Sequence, residues 1–273
     1  MRKSLLAFAV AGAFALPTLV MADEPAAPAS PWTVTTNVYG VSDYYFRGIT
    51  QTWHKPAIQG GVDVAHSSGW YAGLWGSNVS NNQYPGGSGL EFDYYGGYNG
   101  KINDDWGWTA GGHGYYYPGA DFNKAAVPFA SEKFNSFEAN IGASYKFMSV
   151  KYSYFLTDWF GLTKNTGFTD DSKGTSYLEF NLAYEFMPTY TVNFHAAHTD
   201  VNTKTLGGLD PSYSDYLVGV TKAFNAGWVG SLAYVKANYK DSSFYKPTFS
   251  FANRDTLSDP GSSRVILSVG RVF

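Results

Sequence analysis

The side chains able to do chemistry are few and scattered. The histidines are His54, His66, His113, His195 and His198. His195 and His198 have a spacing that suits metal binding on a helix face. On a strand, side chains alternate, so this pair would point to opposite faces. His198 and Asp200 share a strand face, and a histidine oriented by a carboxylate is part of a lipid-hydrolysing site. The serine elbow G-x-S-x-G that such a site would use does not occur. Asp170 and Asp171 would need further loop ligands to hold calcium, and no EF-hand pattern surrounds them. The chain has no cysteine, which excludes disulfides and thiolate zinc sites. The expectation is therefore a protein that is not an enzyme and has no cofactor and no metal.

A second set of charges recurs on one side of alternating segments. Asp43 and Arg47 lie four apart and share a face with Asn37. Asp63, Glu91, Asp93, Glu138, Lys146, Lys151, Glu179 and Glu185 fit the same pattern, with Lys236 and Arg264 as further candidates. If that side faces a lumen, these are pore-lining residues. Asp43 and Arg47 would then either pair or contribute to a charged constriction. Acids outnumber bases in the set, which predicts a weak preference for cations.

The elements that would position them are strands. In 177–186, Leu178, Phe180, Leu182, Tyr184 and Phe186 alternate with Tyr177, Glu179, Asn181, Ala183 and Glu185. Period two sorts these residues, and a helical period does not. The same alternation runs through 134–147 and 90–99. Twelve strands are expected, near 32–47, 56–65, 70–79, 90–101, 106–117, 134–147, 149–159, 174–186, 190–201, 214–224, 228–239 and 263–273. Faces are ambiguous in 70–79, 214–224 and 228–239. Short turns, such as 66–69 and 103–105, alternate with long connections, such as 118–133 and 240–262. That alternation is the pattern of outer-membrane barrels, with short turns and both termini periplasmic.

Composition agrees. Aromatic residues are 18% of the chain and charged residues 15%, against about 25% charged in an ordinary soluble protein. A net charge of -3 gives no reason to expect nucleic-acid binding. Arg2 and Lys3, an apolar run over 5–20 and Val20-Met21-Ala22 describe a secretory signal peptide over 1–22. A Pro/Ala-rich leader over 23–31 precedes the barrel at 32–273. Trp32, Trp106, Trp108, Tyr190 and Trp228 fall where the periplasmic rim would lie. The last strand alternates Val265, Leu267 and Val269 and ends on Phe273. A terminal phenylalanine of this kind resembles the C-terminal signal read by the barrel-assembly machinery.

The most distinctive string is Val41-Ser-Asp-Tyr-Tyr-Phe-Arg-Gly-Ile-Thr-Gln-Thr52. It is followed by Lys55-Pro-Ala-Ile-Gln-Gly-Gly61, Ala65-His-Ser-Ser-Gly-Trp-Tyr-Ala-Gly73 and Trp75-Gly-Ser-Asn-Val79. Over 42–100 this resembles the TorF-like porins, a proteobacterial outer-membrane family. The resemblance implies a porin but carries no agreed set of functional residues.

The fold expected is thus an all-β, transmembrane, antiparallel up-and-down barrel of about twelve strands. Its surroundings would be outer-membrane lipid. Its expected function is passive diffusion of small hydrophilic solutes or ions. The alternative is a non-conducting barrel whose long loops bind a partner, with Phe122, Phe129, Phe244, Tyr245 and Phe249 as loop aromatics.

Overall fold

The computed structural model describes residues 30–126, 129–245 and 259–273. The expected signal peptide, the leader through residue 29, and Phe249 lie outside them. The strands, in chain order, are β1 (Trp32–Val41), β2 (Tyr45–Phe46), β3 (Ile49–Thr50), β4 (Ala57–His66), β5 (Trp70–Asn78), β6 (Leu90–Lys101) and β7 (Trp106–Tyr116). They continue with β8 (Ser136–Tyr145), β9 (Met148–Phe155), β10 (Ser176–Met187), β11 (Tyr190–Asp200), β12 (Tyr213–Ala223), β13 (Trp228–Tyr239) and β14 (Arg264–Val272). Twelve of them form one closed transmembrane barrel, in which β1 lies between β4 and β14. β2 and β3 form a separate small hairpin.

Closure joins the two ends of the chain. Asn37 pairs with Val272 and Val41 with Ser268. Beyond the last strand residue, Phe273 N donates to Thr36 O at 2.8 Å. The ring leaves no unpaired edge, which is the condition for crossing hydrocarbon with strands.

The expected alternation decides which face is which. On β6, Leu90, Phe92 and Tyr94 are exposed on the outside while Glu91, Asp93 and Tyr95 are buried within. On β14, Val265, Leu267 and Val269 face out, as the sequence predicts. The outside is therefore a continuous apolar wall of the kind that lipid covers. Trp32, Trp106 and Trp228 are exposed at strand ends beside the short turns. Lys222 Nζ lies 4.7 Å from the Tyr190 ring there, and the Arg271 guanidinium 4.7 Å from the Phe273 ring. Bases stacked on rim aromatics keep their charge at the polar boundary while their stems cover apolar surface.

Several expectations need correction. The first strand ends at Val41, not near residue 47, because the chain leaves the wall there and turns inward. The turn between β8 and β9 is Lys146–Phe147, since Tyr145 pairs with Met148. Lys146 has φ +52 and is exposed, 3.7 Å from Asp105 on the neighbouring turn. It is a turn residue and does not line the lumen. Lys236 points outward, because the inner face of β13 carries Val229, Ser231, Ala233, Val235 and Ala237. Arg264 is exposed at the loop end of β14.

Candidate functional site

Residues 42–56 connect β1 to β4 by way of the lumen. Val41 and Ala57 are directly paired, so the connection begins and ends at one point of the wall. Between them Phe46 pairs with Ile49, leaving Arg47-Gly48 as a two-residue turn. Both have positive φ, +47 and +76, as the tight primed turns of hairpins require. Arginine is unusual at a left-handed position, and a strained residue of this kind points to a role for its side chain. Gly48 is needed twice over, since a Cβ there would also sit 2.4 Å from Asp215 Cβ.

The hairpin touches the wall on every side. Tyr45 packs on Val235, Ile266 and Leu217. The Tyr44 ring lies 5.4 Å from Trp75, edge to face. Phe46 meets Tyr115, also at 5.4 Å. Arg47 reaches furthest. Its Nη2 donates to both Glu138 oxygens, at 2.8 and 2.7 Å, and its guanidinium lies 4.0 Å from the Tyr177 ring. β8, which carries Glu138, stands on the far side of the ring from β1. The pair therefore bridges the lumen.

Asp43 and Arg47 are both inside but do not pair. Asp43 accepts from Thr50 Oγ1 at 2.6 Å, Thr52 Oγ1 at 3.0 Å and His54 Nδ1 at 2.8 Å. It braces the hairpin internally. His54 Nε2 then meets Asp259 O at 3.1 Å, tying the hairpin to the last loop. Thr50 N also donates to Pro260 O in that loop, and Ser80 N donates to Gln51 O.

The other sequence candidates form small networks along the inner wall. Asp63 accepts from Tyr95 OH at 2.6 Å. Glu91 accepts from Tyr117 OH at 2.7 Å. Asp93 lies 2.9 Å from His113 Nε2. Lys151 Nζ is 2.6 Å from Glu179 Oε1. Glu185 lies close to a short turn and accepts from Thr189 N at 2.9 Å. His195 points inward, 2.9 Å from Asp215 Oδ1 and 3.0 Å from Tyr177 OH. His198 is exposed outside and bonded to Ser214 Oγ at 2.9 Å.

Sequence reasoning placed Tyr177 on the face of Glu179 and weighed His195 as half of a metal pair, without making either a lumen residue, and it passed over Asp215. All three sit on the charged side of their strands. Asp215 was hidden because the faces of its strand do not separate by polarity.

The long connections bond to one another at this end of the barrel. Asp121 N donates to Pro85 O, Leu206 N to Gly167 O, and Asp210 N to Asp241 Oδ2 at 2.7 Å. Two carboxylates act as staples. Asp121 accepts from Asn123 N, Glu132 N, Ser131 Oγ and Lys133 Nζ. Burial opposes its charge, but those donors outweigh burial and hold the carboxyl well below the usual range. Asp210 is held at about 2, again against burial, by Lys240 and by Ser212.

Both folded values lie below the unfolded one of about 3.9. Their stabilisation is therefore full above about pH 4 and fades as the pH falls further, by about 2 for Asp210. Hydrogen-exchange protection of the loop over 201–212 should hold steady from pH 8 to 5 and fall between about 4 and 2. An Asp210→Asn variant should lose most of this dependence, and an equal acid loss in that variant would refute the assignment.

The closed twelve-strand wall, apolar outside and largely polar within, defines a transmembrane antiparallel β-barrel. A family model matches residues 25–273, and the chain belongs to that family, described as "Bacterial protein of unknown function (Gcw_chp)". No curated protein matches the sequence. Among solved structures it is similar to the KdgM porin in complex with disordered oligogalacturonate. The TM-score is 0.50 at 9% identity, covering 88% of this chain and 99% of that one. It is also similar to the NanC porin, with a TM-score of 0.50 and 11% identity over 87% of this chain and 98% of that one. At such identities the likeness is one of fold.

Proposed function

We propose that this chain is a narrow porin-like channel of the bacterial outer membrane, passing small hydrophilic solutes or ions with a preference for cations. One observation carries the reading: a polar, mainly acidic inner wall converges on a single inward hairpin. The short turns and both termini face the periplasm in this reading, and the long loops face outward. Lipid covers the apolar outer wall, and Phe273 serves the assembly machinery as a C-terminal signal. The resemblance of 42–100 to TorF-like porins supports the same conclusion.

Selectivity follows from the charges that reach the lumen. Asp43, Asp63, Glu91, Asp93, Glu138, Glu179 and Asp215 are on the inner side, against Arg47 and Lys151. With Lys146 in a turn and Lys236 outside, the acidic excess is larger than the sequence suggested. Rings of carboxylates favour cations. Asp63 is the best placed to be felt by a passing ion, because it is only half-buried and bonded to a neutral phenol.

In planar bilayers under a salt gradient, the reversal potential should report cation selectivity, and Asp63→Asn should reduce it. A reversal potential of the opposite sign would remove the cation preference.

A second reading draws on the buried aromatic cluster that joins hairpin and loops. There the barrel is closed and its loops bind a partner. It predicts no conductance steps for the intact chain, whereas the channel reading predicts small ones.

A further inference from the structure

The level at which the buried filling of the lumen ends can be followed from strand to strand. On the inner face Glu138, Ser153, Tyr177 and Ala197 are buried. The next inward residues toward the short turns, Asn140, Lys151, Glu179 and His195, are only half-buried. They form the first ring that is accessible from the short-turn end. The His195 side chain is 19% exposed, against 12% for Lys151 and Glu179 and 3% for Asp215. His113, by contrast, is buried beside Asp93, and His54 is held by Asp43 and the last loop. Neither of those histidines stands on the accessible ring.

Hydrogen bonds fix the charge on His195. Its Nε2 lies 2.9 Å from Asp215 Oδ1, a carboxylate oxygen that accepts. Its Nδ1 lies 2.6 Å from Asn181 Oδ1. The orientation of that amide follows from its other end, because Asn181 Nδ2 donates to Glu179 Oε2 at 3.1 Å. Both ring nitrogens therefore face acceptors, so both carry a proton and the ring is a cation. The groups facing it come from four elements. β12 supplies Asp215, β10 supplies Tyr177 and Glu179, and β9 supplies Lys151, 2.6 Å from Glu179. The hairpin supplies Arg47, over the Tyr177 ring and bonded to Glu138. Arg47 with Glu138, Lys151 with Glu179 and His195 with Asp215 are thus three pairs. Only in the third can the cation lose its charge near neutral pH.

We propose that His195 is a selectivity residue of the lumen that responds to pH. Protonated, it offsets Asp215 and restrains the preference for cations. Deprotonated, it leaves Asp215 unopposed and strengthens that preference. This role rests on the channel reading. At about 8 Å in water, one unit charge alters the weight of a passing monovalent ion roughly twofold. The change runs in opposite directions for cations and anions, so their permeability ratio moves by more than either alone.

Reversal potentials of the full chain in planar bilayers, under a fixed potassium chloride gradient from about pH 5 to 9, test it. The cation-to-anion permeability ratio of the wild type should rise several-fold across that range. His195→Gln removes the charge and keeps a donor for Asp215, so its ratio should be high at every pH. His195→Lys keeps the charge throughout, so its ratio should stay at the low value of the wild type in acid. A residue that only braces the wall would lower the yield of folded barrels in both variants and would not set their selectivities apart. Should one variant fail to insert, the other decides the matter. A wild-type ratio that does not change with pH, or a rise that persists undiminished in either variant, would overturn this role and leave the channel reading standing. No conductance at any pH would end both together.

Discussion

Joining β1 directly to β4, with a short Gly-Ser linker in place of 43–55, is expected to raise single-channel conductance several-fold. The geometry allows the deletion. Val41 and Ala57 face each other across the ladder, so a tight linker replaces the hairpin without moving either strand. Among the described residues the hairpin pairs as a strand with itself and not with the wall, and its backbone bonds outward go to loop residues Pro260 and Ser80. Its removal should leave the twelve-strand ring closed while clearing the bridge from Arg47 to Glu138.

The expected record is larger, steadier current steps in a barrel that still shows the heat-modifiable migration of a folded membrane barrel. Small steps in the intact chain and large ones in the variant fit a constricted channel. Silence in the intact chain with steps in the variant fits a plugged barrel whose loops do the work. Silence in both would end the channel reading.

Much of the wall is legible in the sequence. Alternation in 177–186 and 90–99 separates a lipid face from an inner face because lipid and water impose opposite demands on the two sides. The hairpin is not legible for the same reason. Residues 42–47 continue the alternation of β1, with Asp43 and Arg47 on the side of Asn37, and nothing local marks Val41 as the point of departure. The useful sign would have been Arg47-Gly48 read as a turn, but arginine in place of asparagine or aspartate conceals it.

The ambiguous strands have a related cause. β13 is apolar on both faces because its inner side packs on Tyr45 of the hairpin. Where protein fills a lumen, the inner wall resembles a core, and a pattern built on polarity cannot tell it from the lipid side. The networks around Asp43 and Asp215 were hidden for another reason. They join residues 7 to 38 positions apart, and a spacing rule reaches only a few positions.

Arg47→Ala is expected to destabilise the folded barrel by about 3–5 kcal/mol, the usual result of leaving a buried charge without its partner. Arg47 and Glu138 are 6% and 1% exposed at their side chains, so water cannot replace the lost guanidinium. The effect belongs to the pair, which a double-mutant cycle can show. Glu138→Ala should cost a comparable amount, because the arginine is then stranded over the Tyr177 ring. Arg47→Ala with Glu138→Ala should cost well under the sum, with a coupling of roughly 1–3 kcal/mol.

Urea unfolding in lipid vesicles, followed by tryptophan fluorescence, measures all four corners of the cycle. Additive losses would mean that the two residues act independently and that the bridge adds nothing to holding the hairpin. Conductance separates stability from obstruction. The double variant lacks the crossbar, so barrels of it that remain folded should conduct more than the intact chain. If it conducts no better, the hairpin backbone, and not the Arg47 side chain, is what narrows the lumen.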